Sequence, residues 1–373
     1  MANHRHGFCQ SFLTGCPNRL SKRCQVSGLS DRVLSIQELR GLQGRSDLRG
    51  GVRLAIHVAL LVGAGWLVAI ASGWTILPAM FALGLVQVAL FAPAHETMHQ
   101  TAFASRRANA IVGWLTSCPS LLNWHFYTAY HLAHHRHTQE PGLDPELGSP
   151  PPKSVGGYVL RVLGVPYWTF RLRVLADCWR GDLIPASLVA HSSGNHGSWY
   201  RGRGWWGRSA PKRTHTGGLR PILHGSKAAG MSAYPYVSDA TAPKIILSGR
   251  AMTVLMVGGS VVAAVLFGWA TPLLFWIGPQ LLGQPPLRAY LLTEHTGCTQ
   301  DRNGLTNTRT TLTSAPVRLL MWDMPYHAEH HLFPSIPFHR LADAHGLIRK
   351  KLGFVQPGYM RWNFGFVRSL AKR

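Results

Sequence analysis

The most informative part of the sequence is MPYHAEHHLFP, residues 324–334. It places three histidines at positions i, i+3 and i+4, namely His327, His330 and His331. On a helix these three imidazoles project from one face, one turn apart. Imidazole nitrogens presented from a rigid element are common ligands of transition metals. The stretch therefore predicts a short helix that offers three nitrogens to a metal.

The same spacing occurs earlier in the chain, at His131, His134 and His135, and a shorter pair is formed by His95 and His99. Histidine makes up 20 of 373 residues. At this frequency a shuffled chain contains roughly one HxxxH but an HxxHH only about 0.06 times. The two HxxHH clusters are therefore the strong signal, and the shorter pair gains meaning beside them.

Charge and cysteine content limit the class of protein. The formal net charge is +23, from 38 Lys+Arg against 15 Asp+Glu, which by itself suggests nucleic acid or an anionic membrane surface as a partner. The six cysteines form no CxxC and no regular framework. They indicate a reducing compartment, without a disulfide scaffold or a cysteine zinc site. The apolar residues are concentrated in blocks, as in a membrane protein.

Four apolar runs predict two membrane hairpins. Residues 54–71 and 76–93 form the first hairpin, and residues 251–269 and the proline-broken run 273–292 form the second. Each hairpin leads directly into histidines. His295 follows the fourth run immediately, on the side of the other clusters, and is therefore the best candidate for a ninth ligand.

Basic residues flank the runs on the side of the histidines, and neither hairpin tip carries Lys or Arg. This pattern predicts a multi-pass protein with both termini and every histidine cluster on the cytoplasmic side. The flanking residues are Arg45, Arg49, Arg53, Arg106, Arg107, Lys244, Arg250, Arg288 and Arg302.

The chain divides into a basic, disordered extension (1–33), a membrane domain (34–352) and a basic tail (353–373). Within the domain, residues 192–230 are rich in Gly, Arg and Trp and lack periodicity. Such a segment can bind single-stranded nucleic acid, or can be an insertion near anionic headgroups. We favour the insertion, which disfavours nucleic acid as a partner.

Eight clustered imidazoles are too many for one ion, which favours a dinuclear site. Imidazole suits Fe, Zn, Cu or Ni, so the ligand type does not select the metal. Acidic residues beside the histidines could accept the free imidazole N–H. These candidates are Glu96, Glu294, Asp323 and Glu329. The remaining nearby histidines are interpreted as ordinary: His125, His137, His339 and His345.

One HxxxH and two HxxHH boxes, each just beyond a membrane hairpin, resemble the integral-membrane fatty acid desaturase/hydroxylase superfamily. Residues 324–339 are similar to the third box of bacterial members, and residues 288–297 resemble the region that supplies an extra histidine. The resemblance covers 34–352 without the insertion. It implies an all-α integral membrane fold, with four transmembrane helices as two hairpins and a cytosolic helical cap that holds a His-rich dimetal site.

The resemblance also implies two non-haem iron ions, O2 as co-substrate and external electrons. The chain has no CxxCH haem motif, iron–sulfur run or dinucleotide fingerprint, so a separate ferredoxin- or cytochrome-type donor is expected. A bacterial inner membrane is the expected location. The implied iron ligands are His95, His99, His131, His134, His135, His295, His327, His330 and His331.

Three functions remain open at this point. The first is a desaturase that acts on the fatty acyl chain of a lipid. The second is a hydroxylase or ketolase of a fatty acyl, alkane or terpenoid substrate on the same scaffold, which histidine spacing cannot separate from the first. The third is a basic membrane-associated protein that binds nucleic acid or anionic lipid through 192–230, with zinc held structurally. Deletion of 192–230 would abolish only the third function.

Overall fold

The structure of this chain is a computed structural model, which describes residues 33–184 and 232–372. These residues are mainly helical, with two short pairs of parallel strands. The predicted insertion 192–230 and all but the last residue of the predicted extension 1–33 lie outside the described residues. The interpretation of both segments stays a prediction.

The described helices up to residue 184 lead through the first two histidine boxes. They are α1 (Ile36–Leu42), α2 (Asp47–Ile70), α3 (Ile76–Ala89), α4 (Phe91–Met98), α5 (Arg106–Ser117), α6 (Trp124–His137), α7 (Val155–Val162) and α8 (Val165–Arg180). Short 3₁₀ turns occupy Gly73–Thr75, Cys118–Ser120 and Pro145–Gly148.

The helices from residue 232 onward carry the last four of the predicted ligands, and we call the part of the structure that follows His295 the cap. They are α9 (Ala242–Phe267), α10 (Gly278–His295), α11 (Ala315–Leu320), α12 (His327–Leu332), α13 (Leu341–Ile348) and α14 (Tyr359–Ala371), with a π turn at Leu273–Ile277 and a 3₁₀ turn at Phe338–Arg340. Strand β1 (Leu183–Ile184) pairs with β2 (Ser232–Ala233), and β3 (Thr310–Leu312) pairs with β4 (Val355–Pro357).

Three described helical stretches are long and apolar enough to cross a membrane: Asp47–Ile70, Gly73–Met98 and Ala242–Phe267. Their outward faces are apolar; Val265, for example, is 78% exposed. Continuous apolar surface of this kind is typical of contact with lipid. The fourth predicted span, 273–292, is helical but more polar, and the arrangement of four spans as two hairpins stays a prediction.

Helices α3 and α10 cross with almost no side chain between them. A Cβ atom on Gly84 would lie 2.2 Å from the carbonyl oxygen of Pro279, and one on Gly283 would lie 2.4 Å from the carbonyl oxygen of Gly84. Small residues permit such close approach, and close approach maximises dispersion contacts between apolar helices. This crossing joins the two predicted hairpins.

Hydrogen bonds of buried polar side chains also hold these membrane-type helices together. The Nε2 atom of His57 lies 3.0 Å from the carbonyl oxygen of Val86 and so links α2 to α3. Gln87 donates to the carbonyl oxygen of Phe275 at 2.6 Å, and Gln280 donates to Gln87 at 3.4 Å. Paired in this way, these groups escape the cost of an unsatisfied polar atom in an apolar surrounding.

A helix interruption and a helix cap position the first and second histidine boxes. Pro93 has no N–H to donate to Ala89, and the helix is interrupted at Leu90 before α4 presents His95. Asn123 caps α6 by accepting from the N–H of Phe126 at 3.1 Å. The Asn123 amide also donates to the carbonyl oxygen of Ile245 at 2.7 Å, which fixes the start of α6 against α9.

Within the cap, buried aromatic side chains pack on either side of the third box in the sequence. Trp322 and Phe338 are fully buried there, with ring centroids 4.7 Å apart. Arg53, near the start of α2, forms an ion pair with Asp323 at 3.0 Å. The N-terminal end of α2 and the segment before the third box therefore lie at the same end of the helices.

Two helical regions are interrupted by local backbone geometry. Helices α7 and α8 are divided at Gly164, which has a φ of +78° that glycine adopts without strain. Helix α13 begins at Leu341, after a 3₁₀ turn that follows Pro337. Extended backbone at this proline precedes the turn.

We expect Gly84→Ala to lower the thermal stability of the detergent-solubilised protein, because the added methyl group would collide with the backbone of α10. Overpacking of this kind costs about 1–3 kcal/mol. The matched control is Gly258→Ala on α9, where a Cβ atom meets nothing within 4 Å. Equal unfolding midpoints for the two variants would contradict this account of the crossing.

Candidate metal centre

All nine histidines predicted as ligands gather at one end of the helices. Four elements present them. His95 lies on α4 and His99 directly follows it; α6 carries His131, His134 and His135; α10 ends at His295; α12 carries His327, His330 and His331. The structure thus brings together residues that are more than 230 positions apart in the chain.

Five of these histidines form one group, with one ligand nitrogen each, all within 4.8 Å of one another. The Nε2 atom of His131 lies 3.0 Å from that of His99 and 2.9 Å from that of His135. Two nitrogens bound at right angles to one metal, at about 2.1 Å each, lie about 3 Å apart. The spacing fits a single shared ion. The members are His95, His99, His131, His135 and His330.

A second group lies beside the first. Ligand atoms of His134, His295 and His331 are all within 4.8 Å of one another, and the Nε2 atoms of His134 and His295 are 3.2 Å apart. The ring of His327 borders this group, with its centroid 4.5 Å from that of His331 and 5.2 Å from that of His295. The two groups could each hold a metal ion.

Several ring nitrogens support this assignment because they are buried without a hydrogen-bond partner in the described part of the chain. Both nitrogens of His95 and of His330, and Nε2 of His331, are in this state. A buried polar atom left unpaired costs about 1–3 kcal/mol. Each neutral imidazole has one nitrogen with a free lone pair, and a metal ion would satisfy it, so the residues present fit a metal.

The protonation state of these histidines also fits metal binding. Burial lowers the pKa of His99 and of His295 to about 3, and it holds the pKa of His135 and His331 well below the ordinary range. These imidazoles are therefore neutral at physiological pH. Neutral imidazole is the form that binds a metal.

His134 is the exception, and Asp144 and Glu146 are the reason. Burial would lower the pKa of His134, but the charges of Glu146 and Asp144 outweigh burial and raise it. The Nδ1–H of His134 donates to Oδ1 of Asp144 at 2.8 Å, and the Asp144 carboxyl is fully buried. This bond fixes the ring and leaves Nε2 directed at the second group.

Other ligand rings are oriented by uncharged partners. The Nδ1–H of His295 donates to the carbonyl oxygen of Asn307 at 3.1 Å. Nδ1 of His331 lies 3.1 Å from the hydroxyl of Thr138, which itself donates to the carbonyl oxygen of His134. Each contact leaves the Nε2 atom of its ring free for the metal group.

Two of the four acidic residues predicted beside the ligands contact an imidazole. Oε2 of Glu294 lies 3.5 Å from Nε2 of His327. Glu329 is fully buried and accepts from Thr310 and from Nδ1 of His345, a histidine outside the boxes. Glu329 therefore ties α12 to β3 and α13.

The other two predicted acids contact no imidazole among the described residues. Glu96 accepts the backbone N–H of Phe338 at 2.9 Å, and Asp323 pairs with Arg53. Both hold the cap against the helices. A supporting role of all four acids toward the ligands stays a prediction.

The sequence did not mark Asp144 and Glu146 as partners of the histidines, because Asp-Pro at 144–145 is typical of a turn. Asp144 caps the 3₁₀ turn Pro145–Gly148, so the turn itself is real. A signal was nevertheless present. In a chain with only 15 acidic residues, two of them stand nine and eleven positions after His135. Acids this scarce, close to predicted ligands, are candidate ligand partners.

A cavity of about 390 Å³ opens beside both groups. Five of the histidines line one side of it, and Phe91, Tyr127, Tyr130 and Leu291 are among the apolar and aromatic residues of its wall. Tyr127 stacks on the ring of His131 with the centroids 5.4 Å apart. The volume and lining are those of a site for a small ligand or for part of a larger one.

Comparison with known proteins gives a family. The family model described as fatty acid desaturase matches residues 72–363, which is most of the chain. This segment contains all nine histidines, and it extends beyond the third box into α14.

Two relatives are similar over shorter segments. A zeaxanthin 4-ketolase of Chlamydomonas reinhardtii is 35% identical over 122 residues, which are 28% of this chain and 27% of that protein. An sn-1 oleoyl-lipid 12-desaturase of Picosynechococcus is 27% identical over 130 residues, which are 33% of this chain and 38% of that protein. The matched segments therefore span well under half the length of either relative.

We expect Asp144→Asn to weaken metal retention about 10- to 100-fold, because the carboxylate that orients His134 loses its charge while its shape is kept. Metal content per protein is measured by elemental analysis after dialysis against increasing chelator. Asp343→Asn, at an exposed ion pair with Arg340, is the control. Equal retention in the two variants would remove Asp144 from the centre.

Proposed function

The chain belongs to the fatty acid desaturase family, and from this premise we propose that it is a membrane-bound, O2-dependent oxidoreductase that desaturates a fatty acyl chain of a lipid. The observation that carries the proposal is the convergence of nine histidines, eight of them in two adjoining groups, beside a partly aromatic cavity whose wall includes five of them. We propose no role for nucleic acid.

We propose that the two groups hold a pair of iron ions. His95, His99, His131, His135 and His330 would hold one, and His134, His295, His327 and His331 the other. When bound, the pair supplies the reduction of O2 that lets hydrogen be removed from an unactivated C–H bond. The unpaired buried nitrogens of His95 and His330 support this assignment.

The residues around the metal centre would hold the substrate in position and exclude water. Phe91 lies with its ring centroid 5.9 Å from that of His95, and Tyr127 covers His131. Leu291 and Met324 complete an apolar wall near the histidines. Such a wall holds an alkyl chain by excluding water and keeps the reacting segment beside the ligands.

The proposal includes four membrane spans with the site and both termini in the cytoplasm of a bacterium. Three apolar helices and the basic residues near the start of α2 support it. A separate electron donor of ferredoxin or cytochrome type is part of the proposal, because the chain carries no haem, iron–sulfur or dinucleotide motif.

A second candidate is a hydroxylase or ketolase of a terpenoid or alkyl chain. The observation in its favour is the similarity to a protein named as a zeaxanthin 4-ketolase over 122 residues. Both reactions begin with removal of a hydrogen, and the two outcomes differ in whether a second hydrogen leaves or oxygen is added. The ligand geometry does not separate them.

We expect cells that express the chain to accumulate a lipid that has lost two hydrogen atoms, measured by mass spectrometry of total lipids. His330→Ala should abolish this product, because it removes an imidazole from the centre of the five-histidine group. His125→Ala is the matched control, since His125 belongs to neither metal group.

The mass spectrum of the lipids distinguishes the two candidate functions. A product that has gained an oxygen atom would establish the second candidate. If the purified, membrane-inserted protein retains no iron and neither product appears, the enzyme proposal is overturned.

A further inference from the structure

The wall of the cavity carries both acidic and basic side chains. Next to the histidines it carries two acidic side chains, Glu146 and Glu294. It also carries two arginines that share one aromatic ring. The guanidinium carbon of Arg288 lies 3.9 Å from the centroid of Tyr167, and that of Arg171 lies 4.8 Å from the same centroid. Tyr167 is fixed in turn, because its hydroxyl donates to the carbonyl oxygen of Ser120 at 2.9 Å.

These two arginines have no acidic partner within ion-pair distance in the described part of the chain. Arg171 is only 7% exposed, and its Nε atom is buried with no hydrogen-bond partner. Arg288 donates from Nε to the neutral side chain of Gln284 at 2.9 Å. Two neighbouring cations without an anion, one buried and one partly buried, are costly, since charges of like sign repel and the cations have lost water.

Arg161, the third arginine of the cavity, is already satisfied. Its guanidinium donates to the hydroxyl and carbonyl oxygens of Ser149 and to the carbonyl oxygen of Pro150, all within 2.7 Å. The need for an anion is therefore specific to Arg171 and Arg288. A neutral hydrocarbon in the cavity would leave both cations as they are.

We propose that Arg171 and Arg288 bind the anionic group, a carboxylate or a phosphate, of an amphiphilic substrate whose alkyl chain lies against the histidines. This inference rests on the proposed function and narrows it to substrates with a charged head. Guanidinium groups suit both anions because they donate paired hydrogen bonds in one plane.

The spacing along α10 is consistent with this orientation. Arg288 stands seven residues before His295 on the same helix, which is about 10 Å along the helix axis. An anion held by Arg288 would thus be separated from the metal groups by several carbon–carbon bonds of an extended chain. The reacting position would lie within the chain and not at its charged end.

The test measures binding and uses the full chain, purified in a neutral detergent with its metal. The probes are palmitate, hexadecyl phosphate and hexadecanol, which share one alkyl chain and differ in the head. The anions should bind at least about tenfold more tightly than the alcohol, because a hydrogen bond to a charged group contributes about 1.5–3 kcal/mol. The preferred anion distinguishes a carboxylate from a phosphate source.

Substitutions of the two arginines test whether they cause the preference for anions. The double variant Arg171→Gln and Arg288→Gln should lose the preference for the anions and keep the binding of hexadecanol. Lysine at both positions should restore part of the preference, because the charge returns without the planar donors. Arg173→Gln, an exposed position on the same helix, should bind all three probes as the unmodified protein does.

Equal binding of anion and alcohol by the unmodified protein overturns the inference, and this comparison needs no variant to fold. An anion preference that persists in the glutamine double variant overturns it as well. Failure of the proposed function has a different signature: no oxidised lipid forms, although the arginine-dependent anion preference is present.

Discussion

The structure depends on one constraint: nine imidazoles must be packed together and directed inward. Burial disfavours protonation of all of them except His134, whose acidic neighbours raise its pKa. The ring nitrogens of His95 and His330 are buried without a hydrogen-bond partner among the described residues. Every other feature near the centre serves this arrangement. The helix interruption at Leu90 precedes the first box, Asn123 fixes the start of the helix that carries the second, and Asp144 orients His134.

Sequence spacing predicted which histidines lie together, because the information is local. An HxxHH on a helix directs its three rings to one side whatever the rest of the chain does, so His131, His134 and His135 could be grouped before any fold was known. His295 could be added because it ends an apolar run on the same side. The family followed from the same short motifs, and the presence of apolar spans followed from the apolar runs.

The partners of the ligands could not be predicted in this way, because they depend on tertiary contacts. Glu329 lies between two box histidines in sequence, yet its carboxylate contacts His345 and Thr310. Asp144 looked like a turn residue and is one, but it also holds His134. Arg171 and Arg288 are 117 positions apart and meet only because both lie on Tyr167.

The pairing of β1 with β2 has a consequence for how this chain can change over time. Leu183 pairs with Ser232, so the residues on either side of 185–231 are held next to each other by backbone hydrogen bonds. The fixed ends mean that the length of the intervening segment is uncoupled from the positions of α8 and α9. An insertion or deletion between the strands that keeps this pairing would therefore leave the predicted ligands where they are.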